Sequence, residues 1–182
     1  MSRLIALRKA GRVLSAGNLS LLVNAISFQI TWAVGVLLGS VYALAITGLY
    51  MIIHQTMLIK NIREWWLILL IVGVGTSVDS AFAYMGVLDF GGELILIPWW
   101  LISIWAMFAT TLCHSLKWFR FFPWLSALFA AVAGPFSYFA GARLNAVELD
   151  QPVWQSLVVL SIWWACFFPL SLRATRWVHD ES

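Results

Sequence analysis

Residues 17–59 read GNLSLLVNAISFQITWAVGVLLGSVYALAITGLYMIIHQTMLI, a stretch with no ionised side chain if His54 is neutral. As a single helix it would reach about 60 Å at 1.5 Å per residue, twice the roughly 30 Å of bilayer hydrocarbon. The stretch must therefore fold back on itself, and Gly39-Ser40 is the best turn within it. It divides into two spans, Ser20–Leu38 and Val41–Leu58, although no charge separates them.

Four more apolar blocks of similar length follow: Trp65–Met85, Leu94–Ser115, Phe122–Gly141 and Val153–Leu172. The whole chain is 62% hydrophobic and 10% charged, far below the quarter of charged residues in a soluble domain. The short alternating segments of a membrane barrel are absent. The expected fold is all-α, a polytopic membrane protein with six transmembrane helices. Residues 1–18 read as a basic leader that can form an interfacial helix over 3–14, residues 19–176 as one six-helix domain, and 177–182 as a short tail.

The charges agree with six spans. One side receives Arg3, Arg8, Lys9, Arg12, Lys60, Arg63, Lys117, Arg120, Arg173 and Arg176, and only Arg143 lies opposite. By the positive-inside rule both termini are cytoplasmic, and the acidic turns at Asp89, Glu93, Glu148 and Asp150 lie outside. The expected location is a membrane, with lipids and a further membrane protein as candidate partners and no nucleic acid. A faint repeat relates FAYMGVLDFGGEL to SYFAGARLNAVEL, each followed by a proline and by SIW in the next span.

Polar residues within the spans fall at helical spacing. Ser20, Asn24, Ser27 and Thr31 share a face, as do Thr47, Tyr50 and His54, Thr76 and Asp79, and Ser103, Thr110 and His114. For the hydroxyls, ordinary interhelical hydrogen bonding at about 0.6 kcal/mol per contact is sufficient explanation. Asp79 is different, because a charged Asp at mid-membrane costs about 2.5 to 3.5 kcal/mol and needs a partner or a wet cavity. Arg143, the one basic residue on that side, is the expected partner. That pair reads equally as a pin between spans three and five or as part of a functional site.

His54 and His114 lie near one end of their spans and lean back toward the bundle, where Asn24 and Thr110 can complete a polar layer. Two imidazoles and one amide make a poor metal site, because zinc wants a further strong ligand, so no metal and no particular cofactor is expected. Ser126, Ala130, Gly134, Ser137 and Gly141 form a small-residue face for close packing, as do Gly73 and Ser77. Pro135 and Pro169 each remove a helix hydrogen bond. Most of the twelve tryptophans mark span ends, while Trp105, Trp163 and Trp164 lie deeper, as packing or as the wall of a pocket for a flat or acyl ligand. Cys113 and Cys166 fall in apolar blocks and read as packing residues. The chain has no phosphate loop, nucleophile elbow or HExxH motif.

The segments DSAFAYMGVLDF, PWWLISIWAMFATTLCHSLKW and GPFSYFAGARL resemble a bacterial inner-membrane family catalogued as a domain of unknown function. The resemblance covers nearly all of the chain after the leader. It implies a small multi-pass membrane protein whose genes neighbour those for fatty-acid modification or oxidative stress, and it supplies no activity. The leading functional expectation is a bundle that binds a small or lipid-derived molecule among spans one to four, serving membrane lipid handling or stress response. Asp79, Arg143, Asn24, His54, His114 and Thr110 are its candidate residues. Two other classes stay open: a substrate-binding subunit of a transporter, and an intramembrane lipid-modifying enzyme with Asp79 or His114 as acid or base.

Overall fold

The computed structural model describes residues 2–58, 61–91 and 96–179, with the side chains of 2–17, Met57 and His179 outside the description. Six helices account for nearly all of it: α1 (Ser2–Leu38), α2 (Ser40–Met57), α3 (Arg63–Tyr84), α4 (Trp99–Cys113), α5 (Pro123–Arg143) and α6 (Val153–His179). The all-α class holds, and each expected span falls on one of these helices. Among the described residues, four segments are long and apolar enough to cross a membrane: Asn18–Leu38, Arg63–Tyr84, Pro123–Arg143 and Val153–Val178. The leader expected as a separate interfacial helix is continuous with α1, and its side chains lie outside the described residues.

The fold-back falls where the sequence places it. Gly39 takes φ 82°, a left-handed conformation that a side chain would strain, and α2 begins at the next residue. The hydroxyl of Ser40 then accepts from the backbone N–H of Trp100 at 3.2 Å, satisfying one of the free donors in the first turn of α4. Near the end of α4 both of its threonines bond back onto the helix. Thr110 Oγ1 donates to Met107 O at 2.7 Å and Thr111 Oγ1 to Phe108 O at 2.6 Å, and His114 leaves helical geometry at φ −122°, ψ −97°.

α4 is the most deeply seated element, packed against α1, α2, α3 and α6, while α5 packs chiefly on α6. At one end of the bundle a two-residue pair joins β1 (Leu88–Asp89) to β2 (Glu148–Leu149), antiparallel, with Leu88 opposite Leu149. It links the loop after α3 to the loop after α5, and Leu88, Val147 and Leu149 form a small core with Phe82, Tyr138 and Leu160. At the opposite end Asn61 Nδ2 donates to Val178 O at 3.0 Å, and Arg63 donates to Trp177 O at 3.3 Å, tying the α2–α3 loop to the end of α6.

The centre of the core is aromatic. Trp105 of α4 and Trp164 of α6 stack with centroids 5.3 Å apart and planes 1° from parallel, and Phe108 and Phe167 meet their edges. Two glycines make room for the slab. A Cβ on Gly75 of α3 would lie 2.2 Å from the Trp105 ring, and one on Gly134 of α5 would lie 2.2 Å from the Trp164 ring. Gly73, expected as a close-packing position, has open space beside it. The two cysteines are free, Cys113 buried and Cys166 exposed.

Candidate functional site

The candidate residues separate into two centres with a cavity beside them. The first is Asp79, fully buried in α3. Its Oδ2 accepts from Trp105 Nε1 at 2.8 Å, and the Tyr138 hydroxyl lies 2.8 Å from both carboxylate oxygens. The carboxylate thus joins α3, α4 and α5 through two neutral donors.

Arg143, the expected partner, is exposed and makes no ion pair with Asp79. Helix geometry explains this. Arg143 follows Tyr138 by five residues, which places it about 140° around α5 and about 7.5 Å farther along the axis. Charge complementarity pointed to the only cation on that side, whereas the donors come from residues that read as packing aromatics.

The second centre lies near the other end, about 22 Å away along α3 by the fifteen residues that separate Glu64 from Asp79. Asn24, His54, Thr110 and His114 do meet there. Asn24 Nδ2 donates to the Tyr50 hydroxyl at 2.7 Å and to Thr110 Oγ1 at 3.0 Å, and Asn24 Oδ1 accepts from Ser115 Oγ at 2.6 Å. This satisfies the buried amide from α1, α2 and α4 together.

Beside it stands a residue that the sequence reading passed over. Glu64 is 4% exposed, and its Oε1 lies 2.9 Å from His54 Nε2 and 2.7 Å from His114 Nε2. The imidazole rings meet edge to face at 5.0 Å, and Tyr50 lies 5.6 Å from His54. In the sequence Glu64 follows Lys60, Asn61, Ile62 and Arg63 and reads as part of a charged loop. The available signal was its place in the first turn of α3, where a carboxylate is favoured by the helix dipole but has no local need to be buried.

The cavity has a volume of about 490 Å³ and draws its lining from α1, α4, α5 and α6, not from the first four helices as expected. Phe28 and Trp32 of α1, Ile104 and Phe108 of α4, and Ala133 and Phe136 of α5 are representative of a nearly all-apolar wall. Among the described residues α1 packs on α2 and α4 while α5 packs on α6, so the space left between α1 and α5 stays open. Gly134, Ser137 and Gly141, read as a helix-contact face, border this volume, and Gly134 also makes the expected close contact, with the Trp164 ring of α6. Gln29, Phe129 and Phe136 of the wall are exposed, so the cavity reaches the outer face of the bundle.

Both donors to Asp79, Trp105 and Tyr138, line this cavity, as does Ser115 of the other centre. The carboxylate therefore sits one layer behind the wall and fixes two of its side chains. The carboxylate itself is not among the lining residues.

A family model described as a protein of unknown function, DUF2878, matches residues 21–170. No curated protein and no solved structure matches the chain.

Proposed function

We propose, on the premise that the chain belongs to the DUF2878 family of proteins of unknown function, that it is a six-span membrane protein holding a lipid-derived molecule in the cavity between α1 and α5. The observation that carries the reading is the cavity itself. Its volume of about 490 Å³ lies in the range of small-molecule sites, its wall is apolar and aromatic, and it reaches the surface through exposed phenylalanines.

The outer faces of the helices support a membrane setting. Leu22 and Ile26 of α1, Leu69 and Leu70 of α3, Val132 and Phe136 of α5 and Ile162 of α6 are all exposed. Contiguous apolar surface of this kind would cost a soluble protein its solubility, whereas acyl chains solvate it without penalty. A guest entering sideways from such a phase leaves apolar surroundings for apolar surroundings, so its selection rests on shape against the Trp105–Trp164 slab and on the few polar atoms at the wall, such as Ser115 and Ser137.

In this threading both termini and the loop carrying Lys117 and Arg120 face the cytoplasm, and β1 and β2 lie outside. Reporter fusions at Gly91 and Asn145 are expected to signal an external position, and a cytoplasmic signal at either would overturn the threading.

The binding reading is tested by filling the cavity. Ala133→Trp should remove most of the space without touching the Asp79 or Glu64 centres. Lipidic species retained by the detergent-purified wild type, measured by native mass spectrometry, should fall at least about tenfold in the variant, the change expected when about 1.4 kcal/mol of binding is lost. An unchanged retained species, with a normal thermal midpoint, would remove the cavity from consideration.

A further inference from the structure

The Glu64 centre brings together what a metal site needs. We propose that His54, Glu64 and His114 bind a divalent first-row transition-metal ion of the zinc or iron(II) class. The inference does not rest on the lipid reading, because none of the three ligands lines the cavity.

Three separate elements supply the ligands: His54 from the last turns of α2, Glu64 from the first turn of α3, and His114 from the residue that ends α4. Their donor atoms all lie within 4.8 Å of one another. Two imidazole nitrogens and one carboxylate oxygen form the three-ligand set of many catalytic zinc sites and of non-haem iron sites, both of which leave a position open for water or substrate. Two imidazoles among three donors disfavour magnesium and calcium, which take oxygen ligands.

Charge gives the second argument. A carboxylate that is almost fully buried needs a positive charge close by, because an isolated ion in a low-dielectric site costs several kcal/mol. Two neutral imidazoles donating to one oxygen would leave the site negative, and a divalent ion at their meeting point removes that excess. Donor atoms around a tetrahedral ion at about 2.1 Å sit roughly 3.4 Å apart. The separations of 2.9 and 2.7 Å from Glu64 need an expansion of about half an ångström, and the two imidazole nitrogens, within 4.8 Å of each other, adjust by rotation of the rings about their side-chain torsions. The ion would displace the hydrogens now shared between each Nε2 and Oε1. With Nε2 on the ion, the ring proton of His54 would sit on Nδ1, which is buried and has no hydrogen-bond partner among the described residues.

The surroundings suit an open coordination position. Ser115 follows His114 directly, and the Tyr50 ring stands 5.6 Å from His54, so polar groups border the triad on the side facing Asn24.

The full chain, expressed without a polyhistidine tag and purified in detergent, should carry close to one equivalent of zinc or iron by elemental analysis. After chelation it should take up Co²⁺ with visible ligand-field absorption, which Zn²⁺ then competes away. Glu64→Gln keeps the size of the side chain and a hydrogen-bonding oxygen. It should weaken Co²⁺ binding by more than the roughly 10–100-fold typical for loss of an outer partner, since it removes a direct ligand. Thr47→Val, in the same helix as His54 but outside the ligand set, should bind as wild type does. If wild type holds no ion and gives no Co²⁺ absorption, the triad is a hydrogen-bonded cluster only and the proposal is wrong. Equal Co²⁺ affinity in wild type and Glu64→Gln would overturn it as well, by placing the ion elsewhere. The wild-type measurements decide the matter even if the variant does not fold.

Discussion

Gly134→Ala is expected to leave little folded protein, although it adds a single methyl group. The new Cβ would lie 2.2 Å from Trp164 Cγ, well inside contact distance, and the obstacle is the rigid base of an indole rather than the tip of a flexible chain. Trp164 cannot retreat, because its other face is stacked on Trp105 at 5.3 Å. Trp105 is held in turn by its bond to Asp79, and its ring leaves no room for a Cβ on Gly75. Overpacking of this kind costs about 1–3 kcal/mol where the core can yield, and here the yielding groups are locked. A loss at or above about 3 kcal/mol is expected, read as a fall in the thermal midpoint of detergent-solubilised protein and in its yield. Gly73→Ala, which meets nothing within 4 Å, is the control and should sit near wild type. A second-site Trp164→Phe change should recover part of the Gly134→Ala loss by thinning the slab, and a Gly134→Ala protein as stable as the control would show that the slab is not the constraint described.

The second large effect concerns Asp79. Asp79→Ala removes the one hydrogen-bond acceptor that Trp105 Nε1 and the Tyr138 hydroxyl have among the described residues, leaving two donors buried at about 1–3 kcal/mol each. The expected loss is therefore about 2–6 kcal/mol, with a small cavity cost in addition. Asp79→Asn retains one oxygen able to accept from both donors and should lose much less. Tyr138→Phe added to Asp79→Ala should cost less than Tyr138→Phe alone, since the hydroxyl has then already lost its acceptor. This pattern separates a pin from a reactive carboxylate: a pin moves stability, and a reactive group would lose activity at unchanged stability. If Asp79→Ala melted with wild type, the three-helix pin would have to be abandoned.

Much of this was legible in the chain. Block length and the absence of charge required the fold-back, and Gly39 was the residue best able to make it. The four-and-three spacing of Asn24, Thr110 and His54 placed them inward, because one face of each helix had to carry its polar groups away from the apolar side. What escaped detection was of a different kind. Glu64 belongs to a charged loop by its neighbours in sequence, and only the meeting of α2, α3 and α4 reveals that it is buried between two imidazoles. Trp105 and Tyr138 have apolar bodies with one polar atom each, so as residues they read as packing, and their role as donors depends on where Asp79 points. The small-residue face of α5 illustrates the same limit. Its spacing announces close packing at Gly134, and only the fold shows that the Trp164 ring of α6 is what packs there.

The two residue pairs that join β1 to β2 have a mechanical consequence. They clasp the hairpin of α3 and α4 to that of α5 and α6 at one rim, while among the described residues α1 and α2 take no part in a strand pair. Under the proposed binding role, swelling to admit a bulky guest would fall to the flank between α1 and α5, with the β1–β2 rim held fixed.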